Sequence, residues 1–318
     1  MALQGIYLMF EKCSIGIHWL GRTATFITRR LAVFLLVAIC LTSLDSKVSA
    51  QTDNPSFDVW VNTPYVVQFG FGSYDIGGVS TSTYRLPLTH TIPLGPEKDD
   101  WQLKLTGYLG YSHVDFTTEL FGPKITAVTD YLFALPQVEL AIPLQKGWTA
   151  KPYLAAGVGW YCNGSQEFNG VKDQLPDSYG FLYAAGVGSL YELQMQQYRA
   201  SFGSKLGWAE EVDIEGAGSM GFATFQNGVE ILHPLGLYVK GQEFNMAESF
   251  TYYKFFPAAR FSVPNEPPHT VSDQLEFGVN FGFVEPTKVW IIENPRIGAS
   301  YRFGDGMTGF RLNFGFPF

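Results

Sequence analysis

Ser112, His113 and Asp115 bring a hydroxyl, an imidazole and a carboxylate within four residues, the set a hydrolase needs for nucleophile, base and orienting group. The spacing defeats the chemistry. In an extended strand Ser112 and His113 point to opposite faces, so they cannot pair without a bend. His90 and the His233-Pro234 pair read more simply as rim and turn residues. Glu210, Glu211, Asp213 and Glu215 carry the oxygen ligands that calcium takes, but so does any solvated acidic loop, which is the simpler reading. Gly157-Val158-Gly159 and Gly186-Val187-Gly188 lack the third glycine and following helix of a nucleotide loop. They read as strand glycines that let a wall bend or make room for aromatic side chains on a neighbouring strand. Cys162 is the only cysteine beyond residue 50, and His90, His113, His233 and His269 show no metal-ligand spacing. No catalytic residue, cofactor or metal is expected, and the protein is not expected to be an enzyme.

The positioning elements must therefore carry the function. Aromatic residues make up 16% of the 318-residue chain and charged residues also only 16%, below the roughly 25% charged typical of soluble domains. Residues 1–50 hold five of the 21 basic and two of the 29 acidic residues, leaving 16 against 27 beyond them. So acidic a remainder argues against nucleic-acid binding. Arg29-Arg30, the apolar run Leu31–Leu41 and the small residues Val48-Ser49-Ala50 form a signal peptide over 1–50, with cleavage between Ala50 and Gln51. An eleven-residue helix rises only about 16 Å, too short for a permanent anchor.

Past Ala50 no apolar run reaches the length of a spanning helix, so a membrane must be crossed by strands. Alternation supplies them. Trp101, Leu103, Leu105, Leu109 and Tyr111 share one face against Gln102, Lys104, Thr106 and Tyr108. The pattern repeats over 198–208, 275–283, 296–303 and 310–318, and Trp101, Trp148, Trp160 and Trp208 suit interfacial girdles. The expected strands are 64–73, 84–93, 101–111, 126–142, 148–161, 178–193, 198–208, 219–232, 236–244, 273–284, 288–303 and 308–318. The fold class is all-β: a transmembrane antiparallel up-and-down β-barrel of twelve strands, with ten or fourteen as the neighbouring even counts. Residues 51–63 form a short periplasmic segment and 64–318 the barrel. Inside turns fall at 94–100, 143–147, 194–197, 233–235 and 285–287. Outside loops fall at 74–83, 112–125, 162–177, 209–218, 245–272 and 304–307.

The ending Tyr301-Arg302-Phe303-Gly304-Asp305-Gly306 followed by Gly309-Phe310-Arg311-Leu312-Asn313-Phe314-Gly315-Phe316-Pro317-Phe318 resembles the last hairpin of autotransporter translocator barrels. With only Gln51–Thr63 ahead of the first strand, the chain is similar to solitary, passenger-less members of that family. The resemblance implies the outer membrane of a Gram-negative bacterium and recognition of Phe314, Phe316 and Phe318 by the barrel-assembly machinery. Asn313, where the signal often has glycine, and Pro317, which has no backbone donor, depart from the pattern.

The polar faces of these strands assign Lys104, Arg199, Lys205, Glu276, Asn280, Arg296, Arg302 and Arg311 to the lumen. One reading is a network of salt bridges that fills it. One alternative is a small diffusion channel, which the excess of Arg and Lys would make prefer anions; a second, less favoured, is an outer-membrane hydrolase using the Ser112-His113-Val114-Asp115 cluster. The expected partners are outer-membrane lipids and the assembly machinery, with no nucleic acid and a monomeric state. The aromatic- and proline-rich stretch 245–272 is the expected outside contact surface for an extracellular partner.

Overall fold

The computed structural model describes residues 70–76, 79–96, 101–119, 124–168, 170–214, 219–239, 241–261, 269–285, 288–289, 292–293 and 296–318. The chain divides into two units, Met1–Ser46 and Lys47–Phe318, and every described residue lies in the second. The signal peptide, its cleavage site, the segment 51–63 and residues 64–69 of the expected first strand fall outside the described residues.

The strands are β1 (Gly72–Ile76), β2 (Val79–Pro93), β3 (Gln102–Glu119), β4 (Lys124–Gln145), β5 (Trp148–Phe168), β6 (Val171–Gln174), β7 (Ser178–Met195), β8 (Tyr198–Asp213), β9 (Ser219–Val239), β10 (Gln242–Phe261), β11 (His269–Phe283), β12 (Lys288–Val289), β13 (Ile292–Glu293), β14 (Ile297–Gly304) and β15 (Met307–Asn313). Twelve of them pair antiparallel in the ring order β4-β3-β2-β1-β15-β14-β11-β10-β9-β8-β7-β5, and pairing of β5 with β4 closes it. β6 is a short extension on β5, and β12 and β13 form a separate two-stranded hairpin. A closed ladder leaves no unpaired edge, the condition for strands to cross a bilayer.

The barrel is apolar outside and polar within. Leu109, Leu154, Val158, Phe202, Phe277 and Phe310 are exposed, Phe310 to 70%, whereas Thr83, Ser112, Thr251, Gln274, Glu276 and Asn280 are buried. Water would penalise so large an apolar exterior, and lipid would not. On β5, Trp148 and Trp160 face outward on either side of Leu154, Ala156 and Val158. Twelve residues of strand tilted by about 40° give a rise of roughly 30 Å, close to the apolar height of a membrane barrel. Each indole donates to a polar acceptor, Trp148 Nε1 to Ser189 Oγ at 2.8 Å and Trp160 Nε1 to Asp177 Oδ2 at 3.3 Å. That pairing of a wet N–H with an apolar ring suits a bilayer interface.

The count of twelve and the alternation of ends match expectation, but the strand limits do not. The expected outside loops 74–83, 112–125, 162–177, 209–218 and 245–272 are mostly ladder: β10 runs unbroken from Gln242 to Phe261, and β11 resumes at His269. Only 262–268 remain between those two strands. Pro257, in the proline-rich stretch expected to be a loop, lies where the β10–β11 register shifts between Lys254 and Ala259, and a bulge there needs no donor. The expected turn 233–235 lies inside β9. Its Pro234 stands opposite Asn245 beside a register shift, and the chain reverses instead between Val239 and Gln242, where Gly241 takes φ +80°. At the other end of the sequence β14 begins only at Ile297, and β15 stops at Asn313 rather than continuing to Phe318.

Candidate functional site in the barrel interior

Inward positions on β10, β11, β14 and β15 converge on one carboxylate. Glu276 accepts from Arg302 Nε at 2.9 Å, from Arg311 Nη1 at 2.5 Å and from the Ser300 hydroxyl at 2.8 Å, and Arg302 Nη2 lies 2.7 Å from it as an ion pair. The Arg302 guanidinium also lies 3.9 Å from the centroid of the Tyr253 ring, and Arg311 Nη1 donates to Tyr253 Oη at 3.5 Å. Arg302 is only 1% exposed. A buried guanidinium is tolerable where a carboxylate and an aromatic face replace its water. Tyr74 of β1 lies within electrostatic range of the same arginines and is itself buried.

Two further ties cross the interior between strands that are not neighbours. Arg296, just ahead of β14, donates Nη1 to the buried Glu230 of β9 at 2.9 Å. Tyr131 of β4 and Tyr161 of β5 donate to the two oxygens of Glu211 on β8, at 3.1 and 2.8 Å. The wall makes room for them: a side-chain carbon on Gly159 would overlap the Tyr131 phenol, and one on Gly186 would lie 2.6 Å from the Tyr153 ring. One glycine of each Gly-Val-Gly triplet thus serves an aromatic neighbour, and the strands that carry the triplets, β5 and β7, pair directly.

Apolar side chains occupy the rest of this level. Tyr74, Ile76, Phe222, Tyr253, Phe255, Val271 and Met307 form one cluster, and Tyr131, Phe133, Leu135, Tyr153, Ala155, Leu182 and Ala184 form another. Ala209 on β8, the strand that stands between them in the ring, packs against both, so the two clusters are continuous along the inner wall.

Nearer the short turns the interior is basic. Lys104 faces Glu139 at 3.9 Å, Arg85 lies 4.6 Å from the Tyr108 centroid, and Lys205 lies 4.4 Å from that of Tyr153. Arg85, Lys104, Lys151 and Glu139 all lie within electrostatic range of Lys205. Arg199 meets Glu192 at 3.7 Å, and Asn280 is buried with neither polar atom bonded to protein.

Of the residues assigned to the lumen from sequence, the fold brings Glu276, Arg302 and Arg311 into one knot. It ties Arg296 to Glu230, places Lys104 and Lys205 on the basic wall, and leaves Arg199 and Asn280 apart. Sequence reading missed Arg85, Glu139, Lys151, Glu211, Glu230 and Tyr253. Arg85 was legible, since it alternates with the outward Tyr84 and Leu86. Glu211 was hidden in an acidic run read as a solvated loop. That run is strand as far as Asp213, so Glu211 points inward and Glu210 outward. Ser112 and His113 separate as alternation required: Ser112 bonds Thr83 within the wall at 3.2 Å, and His113 meets Asp130 on the outer face at 2.7 Å. Among the described residues no three His, Cys, Asp or Glu side chains are grouped to hold a metal ion.

No family model and no curated protein matches the chain. Among solved structures it is similar to the β domain of the Bordetella autotransporter BrkA, at 12% identity and TM-score 0.41, over 76% of this chain and 90% of that one. It is also similar to the translocator domain of the autotransporter NalP from Neisseria meningitidis, at 14% identity and TM-score 0.46, over 76% and 81%. A third similar structure is a bacterial polysaccharide outer membrane secretin, at 8% identity and TM-score 0.29, over 77% and 96%.

Proposed function

We propose that the protein is a non-catalytic integral barrel of a Gram-negative outer membrane, built like an autotransporter translocator and sealed by its own interior side chains. The observation that carries the seal is the meeting of both apolar clusters at Ala209, with the Glu276 knot and the Glu211 tie reaching between strands beside them. In this reading the chain is exported by residues 1–50, cut between Ala50 and Gln51, and folded by the barrel-assembly machinery, which reads Phe314, Phe316 and Phe318 in the unfolded chain. Refolded protein in a planar bilayer is expected to stay silent. Sustained ion-selective openings of the unaltered barrel would overturn the seal.

The basic wall of Arg85, Lys104, Lys151 and Lys205 favours one second reading, a narrow path that prefers anions. The same recording separates the two, because such a path gives steady current with a reversal potential set by the anion gradient.

A further inference from the structure

β15 ends at Asn313, and the residues after it leave the wall. Gly315 adopts φ +119°, a conformation open to glycine, and Pro317 has no N–H to offer a ladder. Phe314 stays on the outer face, edge-on to Phe71 at 6.0 Å. Phe316 and Phe318 do not. Their rings pack 4.9 Å apart against β8 and β9, which stand five and four places round the ring from β15. A side-chain carbon on Gly203 would overlap the Phe318 ring, and one on Gly228 would lie 2.6 Å from Phe318 and 3.2 Å from Phe316.

Gly203 and Gly228 are register partners, and the outward exposure of Phe202 beside Gly203 fixes that pair on the inner face. Neither glycine has a left-handed φ, so the turn of the chain does not require them; the rings do. One step along the wall on one side, Ser201 faces Glu230; on the other, Lys205 faces Gln226. Beyond Lys205 lie Lys151, Lys104 and Arg85, with the carboxylate of Glu139 among them and that of Glu192 within electrostatic range of Lys151. Four cations against two anions leave a positive balance that attracts negatively charged solutes into whatever space they line.

We propose that residues 316–318 are a plug seated on the Gly203–Gly228 pair, and that its withdrawal admits small anions from the short-turn end to the lysine-lined interior. The segment takes no part in the strand ladder and is held by two rings, so it can leave its seat while the barrel stays closed. The inference rests on the barrel reading above but not on its seal, since it concerns entry from one end.

The test uses the full chain refolded in detergent, with Cys13→Ala, Cys40→Ala and Cys162→Ala to remove the native thiols and Gln226→Cys beside the seat. Labelling rates are read with two small methanethiosulfonates, one bearing a sulfonate and one a trimethylammonium group. A plug seated in about nine molecules of ten slows both reagents about tenfold. Phe316→Ala with Phe318→Ala is expected to restore fast labelling, the sulfonate reacting faster than the ammonium reagent. Gly203→Val, which fills the seat and keeps both rings, is expected to do the same. It carries the test if removal of the rings prevents folding, which gel mobility of the unheated protein reports. Equal rates in the unaltered and unseated barrels would overturn the plug, and faster labelling by the ammonium reagent would overturn the assignment to anions. Current through the unaltered barrel would instead overturn the seal and leave these rates to decide the plug.

Discussion

Glu276 and Arg302 stand opposite each other on β11 and β14, and their charged ends meet 2.7 Å apart inside the barrel wall. With Arg311 on the same carboxylate, two guanidinium groups depend on one acid. Glu276→Gln leaves both without their counter-charge, and loss of one partner from a buried pair typically costs about 3–5 kcal/mol. Urea unfolding of the variant in lipid vesicles should show a loss of that order. A loss below about 1 kcal/mol would mean that the knot is bathed in water and behaves as a surface pair.

Leu154 lies midway between the outward tryptophans of β5 and is 55% exposed. Leu154→Arg is therefore expected to cost roughly 2–4 kcal/mol in vesicles, whereas the same change at Leu144, next to a short turn, costs about 0–1 kcal/mol. Equal costs at the two sites would show that the apolar band does not span this wall.

Strand number was legible because its signals are local. Lys146-Gly147, Gln196-Gln197 and Asp305-Gly306 mark reversals, and each run between reversals alternates. Strand limits were not legible, and the reason is physical. Above the lipid both faces of a strand are wet, so Ser80, Ser82, Asp115, Ser165 and Gln166 extend the ladder while resembling loop. Prolines misled in the same way: Pro234 and Pro257 lie at or beside register shifts, where a missing donor costs little. The faces of Glu276, Arg302 and Arg311 could be read from alternation alone. Their partnership could not, because it depends on register between strands that are distant in sequence, and neither could the inward turn of Phe316 and Phe318.

β10 ends at Phe261 and β11 begins at His269, at the same end of the barrel as the Asp305-Gly306 turn. A peptide tag inserted at Glu266 should bind antibody on intact cells while the barrel remains folded. Binding only after the outer membrane is permeabilised would reverse the assigned orientation.

Export predicts a defined start. Intact-mass measurement of protein from outer-membrane fractions should place Gln51 first, and the unheated protein should migrate differently from the heated one because a closed ladder resists detergent. An uncleaved chain in the inner-membrane fraction would overturn this.

β1 and β15 close the ring through five register pairs, whereas β3 and β4 share eighteen. Among the described residues β1 shares five pairs with β2 as well, so this strand is tied equally on its two sides. The knot behind the β1–β15 seam acts as a clasp: Arg311 comes from β15, Tyr74 from β1, and Glu276 holds the arginine from two strands further round. The seam is therefore backed from inside by charged side chains of β15 and β11 that face the Tyr74 phenol, as well as bonded along its edge.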